Sequence, residues 1–168
     1  NGNNLLNYTL SFVPNASDME GDSIYVAGML KLGGHFIQKI NISPIGFSLG
    51  WNSTYYGNST RLFGSNGTAN DVDVDNGVVY SVGNVRNMRR LSGSGVEDVD
   101  VWDGILQAQN AETGILLWRV SLPVNPSIVQ SSAIALTVVR DVGPSNDGVY
   151  VFALSEYQNN TKNLWVLK

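Results

Sequence analysis

Residues 75–83 read Asp-Asn-Gly-Val-Val-Tyr-Ser-Val-Gly, and this stretch has a counterpart in two other parts of the chain. Residues 21–28 read Gly-Asp-Ser-Ile-Tyr-Val-Ala-Gly, and residues 146–153 read Asn-Asp-Gly-Val-Tyr-Val-Phe-Ala. Each stretch places a turn of Gly, Asn or Asp before a β-branched segment with a tyrosine, which is the pattern of a tight turn that opens a strand. A short apolar segment follows each copy downstream, at 36–41, 105–110 and 164–168. The chain is therefore predicted to repeat one β unit about three times.

The repeat predicts which strands correspond to one another. Strands that begin at Ile24, Val78 and Val149 should be equivalent, with matching places for Tyr25, Tyr80 and Tyr150. A length of 168 residues with 43% hydrophobic content supports one folded domain over 1–168. Within it, the repeats are predicted at approximately 5–46, 47–114 and 115–168.

Period-two or short apolar segments bounded by Gly, Pro, Asn and Asp also occur at 5–13, 48–56, 71–75 and 115–122. Residues 130–140 are compatible with a helix by propensity, although their valine-rich end favours a strand. The predicted fold class is all-β, built of propeller-like antiparallel units. The alternative is a two-layer β-sandwich, which needs about seven strands.

Charge is sparse and diffuse. The chain has 10 Lys and Arg, 14 Asp and Glu, and a net charge of −4, which argues against a nucleic-acid partner because such proteins cluster basic residues. No apolar run is long enough to predict a membrane span. The absence of cysteine excludes a disulfide scaffold.

Polarity comes instead from Asn, Ser, Thr and Gly, and it is patterned. Seven Asn-X-Ser/Thr triplets without proline in the middle occur, where composition alone predicts about three. This excess predicts an extracellular or cell-surface protein with N-linked glycans. The candidate glycosylation sites are Asn7, Asn15, Asn41, Asn52, Asn58, Asn66 and Asn159.

Residues 111–118, Ala-Glu-Thr-Gly-Ile-Leu-Leu-Trp, resemble the acidic-Thr-Gly turn and Trp strand of β-propeller repeats of the pyrroloquinoline-quinone type. Residues 25–28, 38–41 and 51–57 are similar to the strands of microbial surface β-propeller repeats. The resemblance implies that Gly114 makes the turn and that Trp118 is buried between neighbouring units. It also implies a fold of blades, although three blades do not close a ring because propellers need about four to eight.

An unclosed array leaves apolar ends that another copy of the chain can cover. Residues 5–13 carry Leu5, Leu6, Tyr8, Leu10 and Phe12, and residues 164–167 read Leu-Trp-Val-Leu, with little charge in either stretch. We expect Leu5 to Val13 to pair with a neighbouring subunit by strand donation. Head-to-tail contacts of this kind form rings or filaments. The glycan-rich, cysteine-free composition is similar to that of archaeal extracellular filament subunits.

An enzyme is not predicted. The only histidine is His35, after Gly33 and Gly34, and neither a cysteine nor a Gly-X-Ser-X-Gly turn supplies a nucleophile. His35 is expected at a hairpin end in a structural role. No cofactor is predicted.

Two acidic clusters provide candidates for calcium. Asp71, Asp73 and Asp75 alternate with valines, so their carboxylates should share one face of a strand, where a cation would relieve their repulsion. A second cluster in a loop contains Glu97, Asp98, Asp100 and Asp103. A solvated acidic turn is the alternative interpretation of both clusters.

The sequence thus predicts a secreted, N-glycosylated surface protein with a structural or adhesive role that self-associates, as an extracellular filament subunit does. The alternative is a ligand- or glycan-binding propeller module of a larger extracellular protein, with aromatic contacts such as Tyr55 and Tyr56.

Overall fold

The computed structural model describes residues 11–57, 67–89, 99–122, 128–140, 147–157 and 161–168. These residues form β-strands and no helix, which confirms the all-β prediction for this part of the chain. The strands are β1 (Phe12–Glu20), β2 (Ser23–Leu30), β3 (His35–Ser43), β4 (Gly46–Tyr55), β5 (Gly67–Asp75), β6 (Val78–Arg89), β7 (Val99–Asn110), β8 (Leu116–Leu122), β9 (Ile128–Val139), β10 (Gly148–Tyr157) and β11 (Lys162–Leu167).

Hydrogen bonding arranges these strands in two sheets. The first has the order β1-β2-β3-β4, and the second has the order β11-β10-β9-β7-β6-β5 with β8 also paired to β7. Consecutive strands pair antiparallel within three meanders, which are β1–β4, β5–β8 and β9–β11. Among the described residues, the backbone pairing that places the second and third meanders in one sheet is a parallel bridge between Trp102 of β7 and Gln130 of β9. The first two meanders end later than the predicted repeats 5–46 and 47–114, because β4 pairs with β3 and β8 pairs with β7.

The three meanders share one register. The first strand of each carries an irregularity opposite the second and third residues after the tyrosine: at Asn15 across from Ala27 and Gly28, at Asn70 across from Val82 and Gly83, and at Ile134 across from Phe152 and Ala153. A β-bulge of this kind bends its strand and re-aims the bulged side chain. The strands β2, β6 and β10 therefore occupy matching places in their meanders.

The meanders pack as layers with the second in the middle. One apolar cluster joins Tyr25, Ala27 and Ile37 of the first meander to Val72 and Val79 of the second. Another joins the opposite face of the second meander to the third, and includes Tyr80, Val82, Ala108, Ala133, Val151 and Ala153. Alternate residues of β6 face the two neighbours, as the period of two requires.

Close approach of the layers depends on glycine. A Cβ atom on Gly83 would lie 2.9 Å from His35 Nδ1 of the first meander, and a Cβ atom on Gly104 would lie 2.9 Å from the Ala133 amide nitrogen of the third. A larger residue at Gly104 would push against the third meander, and one at Gly83 would clash with the Thr68 carbonyl of the same meander as well as with His35.

The prediction that Trp118 is buried is wrong, because it is 41% exposed. It lies on β8, whose one partner among the described strands is β7. The Trp118 ring lies 6.2 Å from the Tyr80 ring between centroids, and a large part of it is exposed to solvent. Trp51 fills the seam between the first two meanders instead. Its Nε1 donates a 2.9 Å hydrogen bond to the Ala111 carbonyl, and its ring packs on Gly114, which has a φ of +72°.

Candidate functional site

Equivalent side chains connect each meander to the next. The bulge residue Asn15 donates through Nδ2 to the Ala69 carbonyl at 2.7 Å, and the bulge residue Asn70 donates through Nδ2 to the Ala133 carbonyl at 2.8 Å. In both cases the acceptor belongs to the first strand of the following meander. The two seams therefore use one geometry.

Carboxylates at equivalent positions also connect each meander to the next. Asp18 Oδ2 accepts a 2.7 Å hydrogen bond from the Val74 amide, and Asp73 Oδ2 accepts a 2.8 Å hydrogen bond from the Val138 amide. Asp18 lies opposite Tyr25 and Asp73 lies opposite Tyr80, so the two acids are register equivalents. They accept hydrogen bonds from amides of β5 and β9 that pair with no strand among the described residues, and so satisfy backbone groups that would otherwise be open to other chains.

The predicted calcium ligands lie along this second seam. Asp71 Oδ2 accepts from the Leu136 amide at 2.9 Å, and Asp75 Oδ2 accepts from Arg140 Nε at 2.8 Å. Together with Asp73, they share one side of β5, as predicted, and their oxygens face β9. No group of three His, Cys, Asp or Glu side chains suited to a metal ion occurs within the described ranges.

Burial and the neighbouring carboxyl groups change the pKa of Asp73. Burial raises the pKa of the Asp73 carboxyl above its ordinary value; the Val138 amide opposes this effect, and the neighbouring Asp18 and Asp71 carboxyls add to it. Of the second acidic cluster, Glu97 and Asp98 lie outside the described residues. Asp103 is buried and accepts a 2.9 Å hydrogen bond from Asn87 Nδ2.

The third meander lacks these connectors. Its bulge residue is Ile134, and Thr137 lies opposite Tyr150, where the other meanders have Asp18 and Asp73. Neither side chain carries a carboxylate. The third meander therefore supplies backbone partners for the side chains of the second meander, but Ile134 and Thr137 do not repeat the amide and carboxylate contacts on its opposite face.

That opposite face is apolar and open to solvent. Ala27 and Val82, which face the next layer in the first two meanders, are 0% exposed, whereas their register equivalent Phe152 is 40% exposed. Across from them, Ile37 is 0% exposed and its equivalent Val166 is 60% exposed. We call this surface the end face; its exposed apolar residues are Ile134, Phe152, Leu154, Leu164 and Val166. Sequence reasoning located the apolar 164–167 stretch but missed the β9 and β10 residues, which the repeat register could have identified.

The far side of the first meander is the other outer surface of the stack. Phe12, Val26 and Phe36 form a buried cluster there, with the rings of Phe12 and Phe36 4.7 Å apart. On the strands of the first meander, the exposed apolar residues near this cluster are Met19, Phe47 and Leu49. Phe12 and Val13, at the end of the predicted intersubunit strand, pair with β2 of the same chain, and Leu5 to Leu10 lie outside the described residues.

Three of the predicted glycosylation sites can be placed. Asn52 is exposed on β4, Asn41 is half-buried at the end of β3, and Asn15 engages its Nδ2 with the Ala69 carbonyl and with Thr68 Oγ1 at 2.8 Å. Because a glycan is attached through Nδ2, one of the Asn15 hydrogen bonds would be lost on modification. Asn7, Asn58, Asn66 and Asn159 lie outside the described residues.

His35 and Tyr55 contact other residues within the fold, whereas Tyr56 is exposed. His35 opens β3, is fully buried and hydrogen-bonds Ser81 Oγ through Nε2 at 2.9 Å. Burial lowers the pKa of His35 to about 3, so it stays neutral. The Arg119 guanidinium carbon lies 3.6 Å from the centroid of the Tyr55 ring and occupies one face of it.

No protein-family model matches this chain, and no curated protein matches its sequence. Among the described residues, none belongs to a helix with the length and apolarity that a membrane crossing demands.

Proposed function

We propose that this chain is a secreted, N-glycosylated surface protein with a structural or adhesive role, and that its copies associate through the end face. The observation that carries the proposal is the exposure of Phe152 and Val166 at positions whose equivalents are fully buried in the first meander. The glycan component rests on the seven sequence triplets, and the exposed position of Asn52 supports it.

The end face favours a partner for energetic reasons. Its five residues form one patch on adjacent strands, since Phe152 lies directly opposite Val166 and Leu154 directly opposite Leu164. Burying a large apolar side chain contributes roughly 1.5 to 3 kcal/mol, so covering the patch supplies enough to offset part of the cost of association. Contiguous exposed apolar surface of this kind marks interaction sites.

The partner that fits best is another copy of the chain. In each seam, an apolar face of one meander covers the following meander, and the far side of the first meander offers an outer surface with exposed Met19, Phe47 and Leu49. A head-to-tail contact would place this surface on the end face of a neighbouring copy. Two copies would supply six meanders, within the range of about four to eight blades of closed propellers, and a contact that does not close would extend into a filament.

Strand donation is a second component of the proposal. Within the described ranges β11 pairs with β10 alone, and we propose that its other backbone edge receives an added strand. We assign the donated strand to residues Leu5 to Leu10, because Phe12 and Val13 already pair with β2 of the same chain. Leu6, Tyr8 and Leu10 alternate with polar residues in that segment, as a half-buried strand requires.

The test places charge on the end face. The double substitution Phe152→Lys and Val166→Lys should convert assemblies of the full chain to monomers, measured by light scattering after size-exclusion chromatography and by negative-stain microscopy. Leu32→Lys is the matched control, because Leu32 is an exposed apolar residue in the turn between β2 and β3. Assemblies that persist in the double variant, or that are lost equally in the control, would contradict the proposal.

A further inference from the structure

A cleft lies where β9 leaves β7, at the rim of the second and third meanders. It encloses about 240 Å³ and is lined by Asn84, Trp102, Gln130, Ser131, Ser132, Leu154 and Glu156. It reaches the surface at Gln130 and Leu154, which are exposed. The volume lies below the roughly 300 to 1,000 Å³ of sites for drug-sized ligands, and it suits a single six-membered sugar ring better than an extended ligand.

One wall of the cleft is an aromatic ring held in place. Trp102 lies opposite Arg86 in the β6–β7 pairing, and the Arg86 guanidinium carbon stands 4.9 Å from the centroid of the Trp102 ring. This cation–π contact restrains the indole ring. Leu154 supplies a second apolar contact from the third meander. The cleft thus offers apolar surface on which the C–H face of a ring can pack.

The polar groups of the cleft call for a hydrogen-bond donor. The Asn84 side-chain oxygen is buried and accepts no hydrogen bond from the residues that the structure describes. A buried amide oxygen in this state is costly unless a ligand or solvent donates to it. Glu156 adds a carboxylate, 3.7 Å from Lys162 Nζ and bonded to Gln130 Nε2. Two acceptors disfavour an anion such as phosphate, which offers few protons, and favour hydroxyl groups.

From this combination we infer that the cleft binds a neutral pyranose sugar, with a ring face on Trp102 and hydroxyl groups donating to Asn84 Oδ1 and the Glu156 carboxylate. The sugar is the small ligand class that presents an apolar ring face and several hydroxyl donors together. All lining residues of the cleft come from one chain, and one of them, Leu154, also belongs to the end face, so binding is measured on the monomeric chain.

Binding can be measured by saturation-transfer NMR and calorimetry on the full chain with methyl α-mannopyranoside, methyl β-glucopyranoside and N-acetylglucosamine as probes. At least one probe should bind with a dissociation constant on the order of millimolar, as expected for so few contacts. Trp102→Leu should weaken that binding by about tenfold or more, because it removes the stacking surface. Trp118→Leu is the matched control, since this exposed tryptophan lies on β8 outside the cleft, and it should bind as the parent does.

A variant that leaves the core intact guards against misfolding. Gln130→Trp fills the mouth of the cleft from an exposed position and should abolish binding while the circular dichroism spectrum is retained. Absence of saturable binding to all three probes, or equal affinity of the parent and Gln130→Trp, overturns the inference. If the bound glycoside also disperses assemblies of the glycosylated protein, the natural sugar belongs to a glycan of a neighbouring copy. Binding without dispersal assigns it to a free saccharide, and both outcomes support the site.

Discussion

Substitution of Asp71 by alanine tests whether carboxylates fasten the second meander to the third. Asp71 Oδ2 accepts from the Leu136 amide at 2.9 Å, and Leu136 is buried, so the substitution leaves a buried N–H without a partner. Hydrogen bonds to charged groups contribute about 1.5 to 3 kcal/mol, and an orphaned buried donor costs about 1 to 3 kcal/mol. Both ranges refer to the loss of one hydrogen bond and are not added together, so the free energy of unfolding should fall by about 2 to 3 kcal/mol.

Urea denaturation followed by tryptophan fluorescence and circular dichroism measures this change, provided that both signals give one transition. Asp71→Asn keeps one carbonyl oxygen for the Leu136 amide but places an NH₂ group where Asp71 Oδ1 accepts from the Val72 amide at 2.9 Å, so it should recover only part of the stability. Asp75→Ala is the control on the same strand, because its partner Arg140 is exposed and the ion pair is screened by solvent. Equal losses for Asp71→Ala and Asp75→Ala would refute the view that the seam depends on satisfied backbone amides.

Three further predictions concern single residues. Gly114→Ala should lower the free energy of unfolding by about 2 to 4 kcal/mol in urea titrations, because φ is +72° and the added Cβ would lie 2.5 Å from the Trp51 ring. Gly21→Ala is the control, because Gly21 has a φ of +57° and open space around it, and it should cost about 1 to 2 kcal/mol. Trp118→Ala should cost less than about 2 kcal/mol because the ring is half exposed, and a loss as large as that of Trp51→Ala would show that the seam is misassigned. The pKa of His35 is lowered by burial, so its stabilising effect is present above its unfolded pKa and is lost as the pH falls toward about 3. The stability of the parent should therefore fall relative to His35→Gln by up to about 1.4 kcal/mol per pH unit below about 6.5, and parallel pH profiles of the two proteins would argue against a buried neutral imidazole.

The repeat was readable from sequence because turn chemistry is local. Asn76 and Gly77 adopt positive φ values of 51° and 75° between β5 and β6, as the Asp-Asn-Gly turn predicts, and the ambiguous 130–140 stretch is part of strand β9. The valine-rich end of this stretch favoured a strand by propensity, and the structure has a strand there. Strand existence and the central place of Tyr25, Tyr80 and Tyr150 in their meanders could therefore be predicted.

Pairing partners and burial depended on contacts that no local pattern encodes. The Thr-Gly-Trp motif predicted a buried Trp118, yet its strand has one neighbour, and the tryptophan that fills the seam comes from β4, 60 residues before Ala111. The carboxylates of β5 predicted a shared face but not the amides of β9 that they bind. The cleft at Trp102 combines residues from four strands of two meanders, so its recognition required the fold.

Thiol labelling of the end face can show whether copies of the chain associate through it, because the chain contains no cysteine of its own. Single-cysteine variants Val166→Cys and Leu32→Cys would be alkylated in the assembled state and after dispersal to monomers. If copies associate through the end face, the Val166→Cys thiol should react on the order of tenfold more slowly in the assembly, while the Leu32→Cys thiol reacts at one rate in both states. An unprotected thiol at position 166 in the assembly, or a parent chain that remains monomeric at all concentrations, would contradict the account.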